Sequence, residues 1–306
     1  MREQGKFKLV QKKIQRPSET DICTKVLPKI IGSLIWFARM TRPDLSYLVS
    51  KAATVSSNPN IIHRNILLQA VGYLKKTIKN KLIYKKPADG NLDLTVYSDS
   101  NWIGKESTYD PYFKKILRNC ASTSGIVIMV NGTAIHWNAA KQKCIAASAM
   151  HAEIIAADTA MKEATFTLSL LKEFGYNQTR ILTFIDNQAA INSVTSESMT
   201  KQYRFMDLRN AIIRRSIQDR VYHPTYVPTE NNLADVLTKS YSDLQMSHEK
   251  FNMVIAKLTG NYYETKEEYL QEIKKICENN FVSWNDEVKT YTELLQKRKE
   301  DIEHMQ

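Results

Sequence analysis

Asp99, Glu153, Asp186 and Asp235 are the side chains in this sequence whose type and placement could do chemistry. Asp99 closes an alternating apolar run from Leu92, and Asp186 closes a second run from Leu182. Glu153 stands near the start of a long helical stretch, and Asp235 opens what reads as a last helix. Strand ends and helix starts meet on one rim of an α/β sheet. Carboxylates gathered there raise one another's pKa unless cations intervene. Oxygen-only donors suit hard divalent ions, Mg²⁺ first and Mn²⁺ as an alternative. Two such ions about 3.5–4 Å apart can activate a water and stabilise the leaving oxygen of a phosphodiester. Taken singly, each acid also has a plain reading as a strand end or a helix cap.

The elements that must position these acids follow from hydrophobic period and turn signals. Leu92–Asp99 alternates as a strand does, and Asn131-Gly132 between Gly125–Val130 and Thr133–Trp137 is a strong hairpin signal. A helical stretch runs from about Ser148 to Phe174 and stops at Gly175; a strand at Leu182–Asp186 and helical sequence to about Val194 follow. A basic helix around Met206–Gln218, a strand at Tyr222–Val227 and a helix from Asn231 complete the predicted order β, β-hairpin, α, β, α, α, β, α. Ahead of this unit, Ile31, Leu34, Ile35 and Ala38 recur at helical spacing, and Thr41-Arg42-Pro43-Asp44 joins that helix to a second. A third follows Asn58-Pro59, with Ile66, Leu67, Ala70, Val71 and Leu74 on one face and Lys75, Lys76, Lys79 and Lys81 beyond. The expected organisation is a basic tail (1–20), a mainly helical region (21–88), an α/β unit (89–242) and a helical acidic extension (243–306).

The net charge of +11 is unevenly spread, at +12 over residues 1–98, +3 over 99–240 and −4 over 241–306. A basic front segment suits a polyanion, because each Lys or Arg at a phosphate releases counterions. No apolar run is long enough to cross a membrane and the first residues lack a secretory h-region, so we expect an intracellular protein with no membrane partner. Cys23, Cys120, Cys144 and Cys277 are too scattered for a zinc motif and read as buried free thiols.

Five ordered stretches, Tyr97–Trp102, Ser122–Gly125, Lys141-Gln142-Lys143 through Glu153, Asp186–Ile191, and Tyr226–Thr229 through Leu233–Lys239, resemble the successive motifs of copia-type (Pseudoviridae) retrotransposon ribonuclease H domains. Upstream, Ile31–Trp36, Thr41–Asp44 and Tyr73–Lys75 look like the thumb and connection that follow a reverse transcriptase palm. Two adjacent aspartates, which the family's polymerase motif requires, occur nowhere in the chain. The resemblance implies an RNase H-like mixed five-stranded sheet with flanking helices, preceded by the helical thumb/connection region and followed by a helical C-terminal extension. It implies a metal-dependent endonuclease for the RNA strand of an RNA·DNA hybrid, cytoplasmic in a virus-like particle or nuclear, with the rest of a Pol polyprotein as a partner. In that scheme Asp99 bridges two Mg²⁺ ions, Glu153 and Asp186 complete one side, and Asp235 holds the second ion.

Candidate nucleic-acid contacts are Lys75, Lys76 and Lys79, with Lys114, Lys115 and Arg118 in a loop, 104–120, that is longer than the family's and interleaves aromatics with cations. The family histidine near the site is Phe205 here, which implies slower product release. Asp158 and Asp207 are set aside as site acids, Trp102 and Trp137 as packing, and His136 and His151 as structural. A competing reading is a retroelement fragment that binds nucleic acid or protein without catalysis. A DDE integrase is disfavoured, since its glutamate comes last and here it is second.

Overall fold

The computed structural model describes residues 25–54, 56–57, 61–86, 92–102, 121–176, 180–195, 207–240, 244 and 246–279. The sheet consists of β1 (Leu94–Asn101), β2 (Thr123–Val130), β3 (Thr133–Lys141), β4 (Ile181–Ile185) and β5 (Tyr222–Tyr226), in spatial order β3-β2-β1-β4-β5. The first three strands pair antiparallel, and β4 and β5 continue parallel to β1. Asn131 and Gly132, both at positive φ (48° and 80°), close the β2–β3 hairpin as a two-residue turn that matches strand twist.

Strand period decides what covers each face. Leu94 and Val96 of β1 and Ile126 and Ile128 of β2 pack under the long helix α4 (Ala149–Glu173), with α5 (Gln188–Thr195) and α6 (Asp207–Gln218) beside it. Ser148 caps α4 by accepting from His151 N (3.1 Å), and Gly175 at φ 87° ends it. The intervening residues Tyr97, Val127 and Met129, with Phe184 of β4, face the other way. Two helices of the C-terminal extension cover them, α7 (His248–Leu258) and α8 (Lys266–Asn279), through Val254, Ile255, Leu258, Tyr269, Ile273 and Cys277. The extension is thus one wall of the sheet's core.

The front helices α1 (Leu27–Met40), α2 (Ser46–Thr54) and α3 (Ile61–Lys76) hold a smaller core of Leu27, Ile31, Leu34, Ala38, Leu45, Val49, Ala52, Leu67 and Ala70. The expected α3 face is narrower than its sequence suggests, since Val71 is exposed (42%). A 3-10 turn at Pro43–Leu45 joins α1 to α2. Buried Arg42 is bidentate to Asp44 (3.0 and 2.6 Å) and also reaches Thr77, while Tyr73 donates to Asp44 (2.7 Å). These contacts explain why the Thr-Arg-Pro-Asp and Tyr-Leu-Lys stretches go together. Trp137 Nε1 donates to the Ala38 carbonyl (2.6 Å) and ties this bundle to β3.

Two expectations need correction. β1 runs two residues past Asp99. The segment predicted as a last helix forms two 3-10 turns, Thr229–Asn231 and Asp235–Leu237, because side-chain bonds to the strand ends, described next, replace a helical ladder.

Candidate metal and catalytic centre

The four acids come from both faces of the sheet. Asp99 points to the α7/α8 side of β1, while the next residue, Ser100, points to the α4 side; its N–H and Oγ both donate to Glu153 Oε1 (3.1 and 2.8 Å). Glu153 sits one turn inside α4, whose start is fixed by Gln142. That buried side chain donates to Ser124 Oγ and to the Ala152 carbonyl, both at 2.9 Å. Asp186 follows β4 directly, and Asn187 Oδ1 caps α5 by accepting from Ala190 N (3.0 Å).

On the opposite face the 235–238 turn is drawn onto β1 and β2. Buried Asn232 donates to the Ser98 carbonyl (3.0 Å) and accepts from Ala234 N (3.1 Å). Thr238 Oγ1 donates to Asp99 Oδ2, and Lys239 Nζ is ion-paired with Asp235 Oδ1. This approach requires Gly125, which pairs with Asp99 across the ladder. A Cβ there would lie 2.7 Å from the Ala234 carbonyl oxygen and from Thr238 Cγ2.

Asp99, Glu153 and Asp186 each offer a ligand oxygen, all within 4.8 Å of one another. Asp235 neighbours them closely enough to act on Asp99 and Asp186 electrostatically, but its carboxylate is engaged by Lys239. Burial first, and then the charges of Asp186 and Asp235, push Asp99 up to about 7. Burial, and then the charges of Asp99 and Asp186, raise Glu153 well above the usual carboxylate range, and burial raises Asp186 and Asp235. Burial works against the Lys239 ammonium, but Asp99, Asp235 and Asp186 outweigh it and raise its pKa. Glu153 Oε2 is buried without a hydrogen-bond partner. A buried carboxylate oxygen with nothing to accept, among acids held partly protonated, is a donor set that a hard divalent cation fits.

Asp158 lies apart, paired with Lys162 (2.8 Å) and Arg209 (3.3 Å). Lys75, Lys76 and Lys79 are exposed at the end of α3 and just beyond it. Trp102 donates to the Ala146 carbonyl (3.3 Å), and His151 Nδ1 accepts from Ala147 N (3.1 Å). The Cys277 thiol is buried as expected, whereas Cys144 is only partly buried, contrary to the expectation of buried thiols. Cys23, Cys120, Phe205, Lys114, Lys115, Arg118 and the 104–120 loop lie outside the described residues, as does the side chain of Asp207. Gly125, Gln142, Thr238 and Lys239 stand inside the motif stretches noted above, but their supporting roles emerge only from contacts. Asn232 and its bond to Ser98 carried no signal.

No family model matches the chain. The Pol polyprotein of transposon RE1 from Arabidopsis thaliana is 30% identical over 215 residues, 70% of this chain and 14% of that protein. The Pol polyprotein of transposon TNT 1-94 from Nicotiana tabacum is 28% identical over 211 residues, 68% and 15% respectively. The chain therefore spans about one seventh of the length of these relatives. Among solved structures, LC11-RNase H1, isolated from compost by a metagenomic approach, is 17% identical and covers 47% of this chain and 91% of its own, with a TM-score of 0.36. Among the described residues no helix is long and apolar enough to cross a membrane. The homologues of this chain are copia-type retrotransposon Pol polyproteins, and the chain has the mixed five-stranded sheet with flanking helices that the sequence leads one to expect.

Proposed function

We propose that the chain is a metal-dependent ribonuclease H that hydrolyses the RNA strand of RNA·DNA hybrids as one part of a larger Pol polyprotein, with Mg²⁺ as its ion and Mn²⁺ as a substitute. The observation that carries this reading is the convergence of the Asp99, Glu153 and Asp186 carboxylates within 4.8 Å, with a Glu153 oxygen left unpartnered. These three acids would hold a divalent ion. When bound, such an ion supplies Lewis-acid polarisation of a phosphodiester oxygen and neutralises charge that develops there.

The remaining work falls to the chain's own groups. Ser100 fixes the Glu153 carboxylate through two bonds to one oxygen and leaves the other free. Thr238 orients Asp99, while the Thr229 and Asn232 side chains favour the charged form of Asp186. Asp235, close to Asp99 and Asp186, offers an acceptor for the proton of an attacking water. Lys75, Lys76 and Lys79, exposed on the basic front bundle, would follow the hybrid backbone, with Lys114, Lys115 and Arg118 as further contacts. Selection for the hybrid would then rest on groove shape and 2′-hydroxyls rather than on base sequence.

The test is cleavage of a labelled RNA·DNA hybrid in Mg²⁺, with single-stranded RNA and duplex DNA as controls. Cleavage of the hybrid RNA strand is expected, with loss of at least about 100-fold in Asp186→Asn, the scale of a displaced catalytic group. Equal activity in that variant overturns the assignment.

A further inference from the structure

The carboxylate cluster already contains a cation of its own. Lys239 Nζ is ion-paired with Asp235 Oδ1, one turn back along the chain, and the Thr238 hydroxyl donates to Asp99 Oδ2. The two oxygens that face the 235–238 turn are therefore both held by the Thr238-Lys239 pair. The three acids whose ligand atoms gather within 4.8 Å are Asp99, Glu153 and Asp186, without Asp235. A second ion on the turn side would compete with the Thr238 hydroxyl for Asp99 Oδ2 and with the Lys239 ammonium for Asp235 Oδ1.

We propose that the centre takes a single divalent ion, between Asp99, Glu153 and Asp186, and that the Lys239 ammonium stands where a second metal ion would, as the cation that holds Asp235. This rests on the metal-dependent reading above and narrows it. Lys239 is a positioning residue in this scheme. Its side chain keeps 26% of its exposure against 8% for Asp235, so the ammonium closes the open side of the pair. A second divalent ion on Asp235 would have to displace a charge already bonded there and then sit beside it. The anchor is geometric as well as electrostatic. Asn232 pins the turn to Ser98, and Gly125 lets it approach, so Lys239 is delivered to the cluster by the backbone.

The experiment is calorimetric titration of the full chain with Mn²⁺ at pH 8, paired with electron paramagnetic resonance of the bound ion. The wild-type protein is expected to bind one Mn²⁺ with the spectrum of an isolated ion. Lys239→Met is expected to gain a second site and the broadened spectrum of coupled ions, while Lys239→Arg keeps one. Asp235→Asn is expected to retain the single site with affinity changed by less than about tenfold. That variant and Lys239→Arg decide the question if Lys239→Met does not fold. Two ions in the wild-type chain, or loss of the site in Asp235→Asn, overturns the role of Lys239 and leaves the metal-dependent reading standing. No bound ion in any of the proteins overturns that reading, and this inference with it.

Discussion

Burial works against every charge in the carboxylate cluster, so protonation of Asp99 and Glu153 is coupled to the stability of the whole chain. A carboxylate whose folded pKa lies above its unfolded value stabilises the fold fully below the unfolded pKa. That contribution is lost as pH rises through the folded value. For Asp99 the window runs from its ordinary value near 3.8 to about 7. Held in chelator, the protein is therefore expected to melt at progressively lower temperature between pH 5 and pH 8, and millimolar Mg²⁺ is expected to restore the loss at pH 8. Asp99→Asn is expected to flatten the pH dependence and to remove most of the Mg²⁺ effect. Melting curves with the same pH slope in both proteins would sink this account. The convergence of Asp99, Glu153 and Asp186 is legible in the sequence because each stands near an element boundary in a recognisable stretch. Their supports are less legible. Ser100, Gln142 and Asn232 have the composition of ordinary surface residues, and only the tertiary contacts show that each serves one carboxylate or the turn that carries it.

At the scale of elements, the site depends on how closely the 235–238 turn can lie against β2. Gly125 sets that distance, since a Cβ would meet the Ala234 carbonyl and Thr238 Cγ2 at 2.7 Å and Leu237 Cβ at 3.0 Å. None of these is the far end of a flexible side chain. Gly125→Ala is expected to cost about 1–3 kcal/mol in urea unfolding, as overpacking does. It is also expected to slow hybrid cleavage by roughly 100-fold, because the turn carries Asp235, Thr238 and Lys239 together and a shift of about 1 Å misplaces all three. A variant as active as wild type would show that the turn tolerates displacement. This turn is also where sequence reading goes astray. Leu233, Val236 and Leu237 recur at helical spacing and are buried, so the pattern predicts a helix. The physical competitor is local. Asn232 bonds to β1 and Thr238 to Asp99, and these bonds hold the backbone in 3-10 turns. The hairpin, by contrast, is fully legible, because Asn131-Gly132 encodes its own backbone conformation without help from a distant partner.

For the whole molecule, the question is what the C-terminal helices add to a sheet that already carries α4, α5 and α6 on one face. The acidic character of residues 241–306 suggests an appendage, and the alternation in β1 and β2 says only that both faces are apolar, not what covers the second. The structure answers with α7 and α8, which seal Tyr97, Val127, Met129 and Phe184, all at most 3% exposed. Two further contacts bind this cover to the hairpin and to the front bundle's exit. Gly260, at φ 74°, lies where a Cβ would strike the Ile83 carbonyl and Thr133, and Asn261 donates to the Lys81 carbonyl (2.9 Å). Burying Val254, Ile255, Leu258, Tyr269 and Ile273 at about 1.5–3 kcal/mol each contributes on the order of 10 kcal/mol. That is comparable with the entire stability of a typical domain, about 5–15 kcal/mol. A chain ending at residue 246 is therefore expected to lose cooperative thermal unfolding and to bind a hydrophobic dye, although all four acids remain. The milder Leu258→Ala, in the full chain, is expected to lower stability by about 2–5 kcal/mol while leaving the number of bound metal ions unchanged. Together the two measurements separate cover from chemistry. If the shortened chain melted cooperatively near the wild-type temperature, the extension would be an appendage after all, and the apolar side of the sheet would need another explanation for its stability.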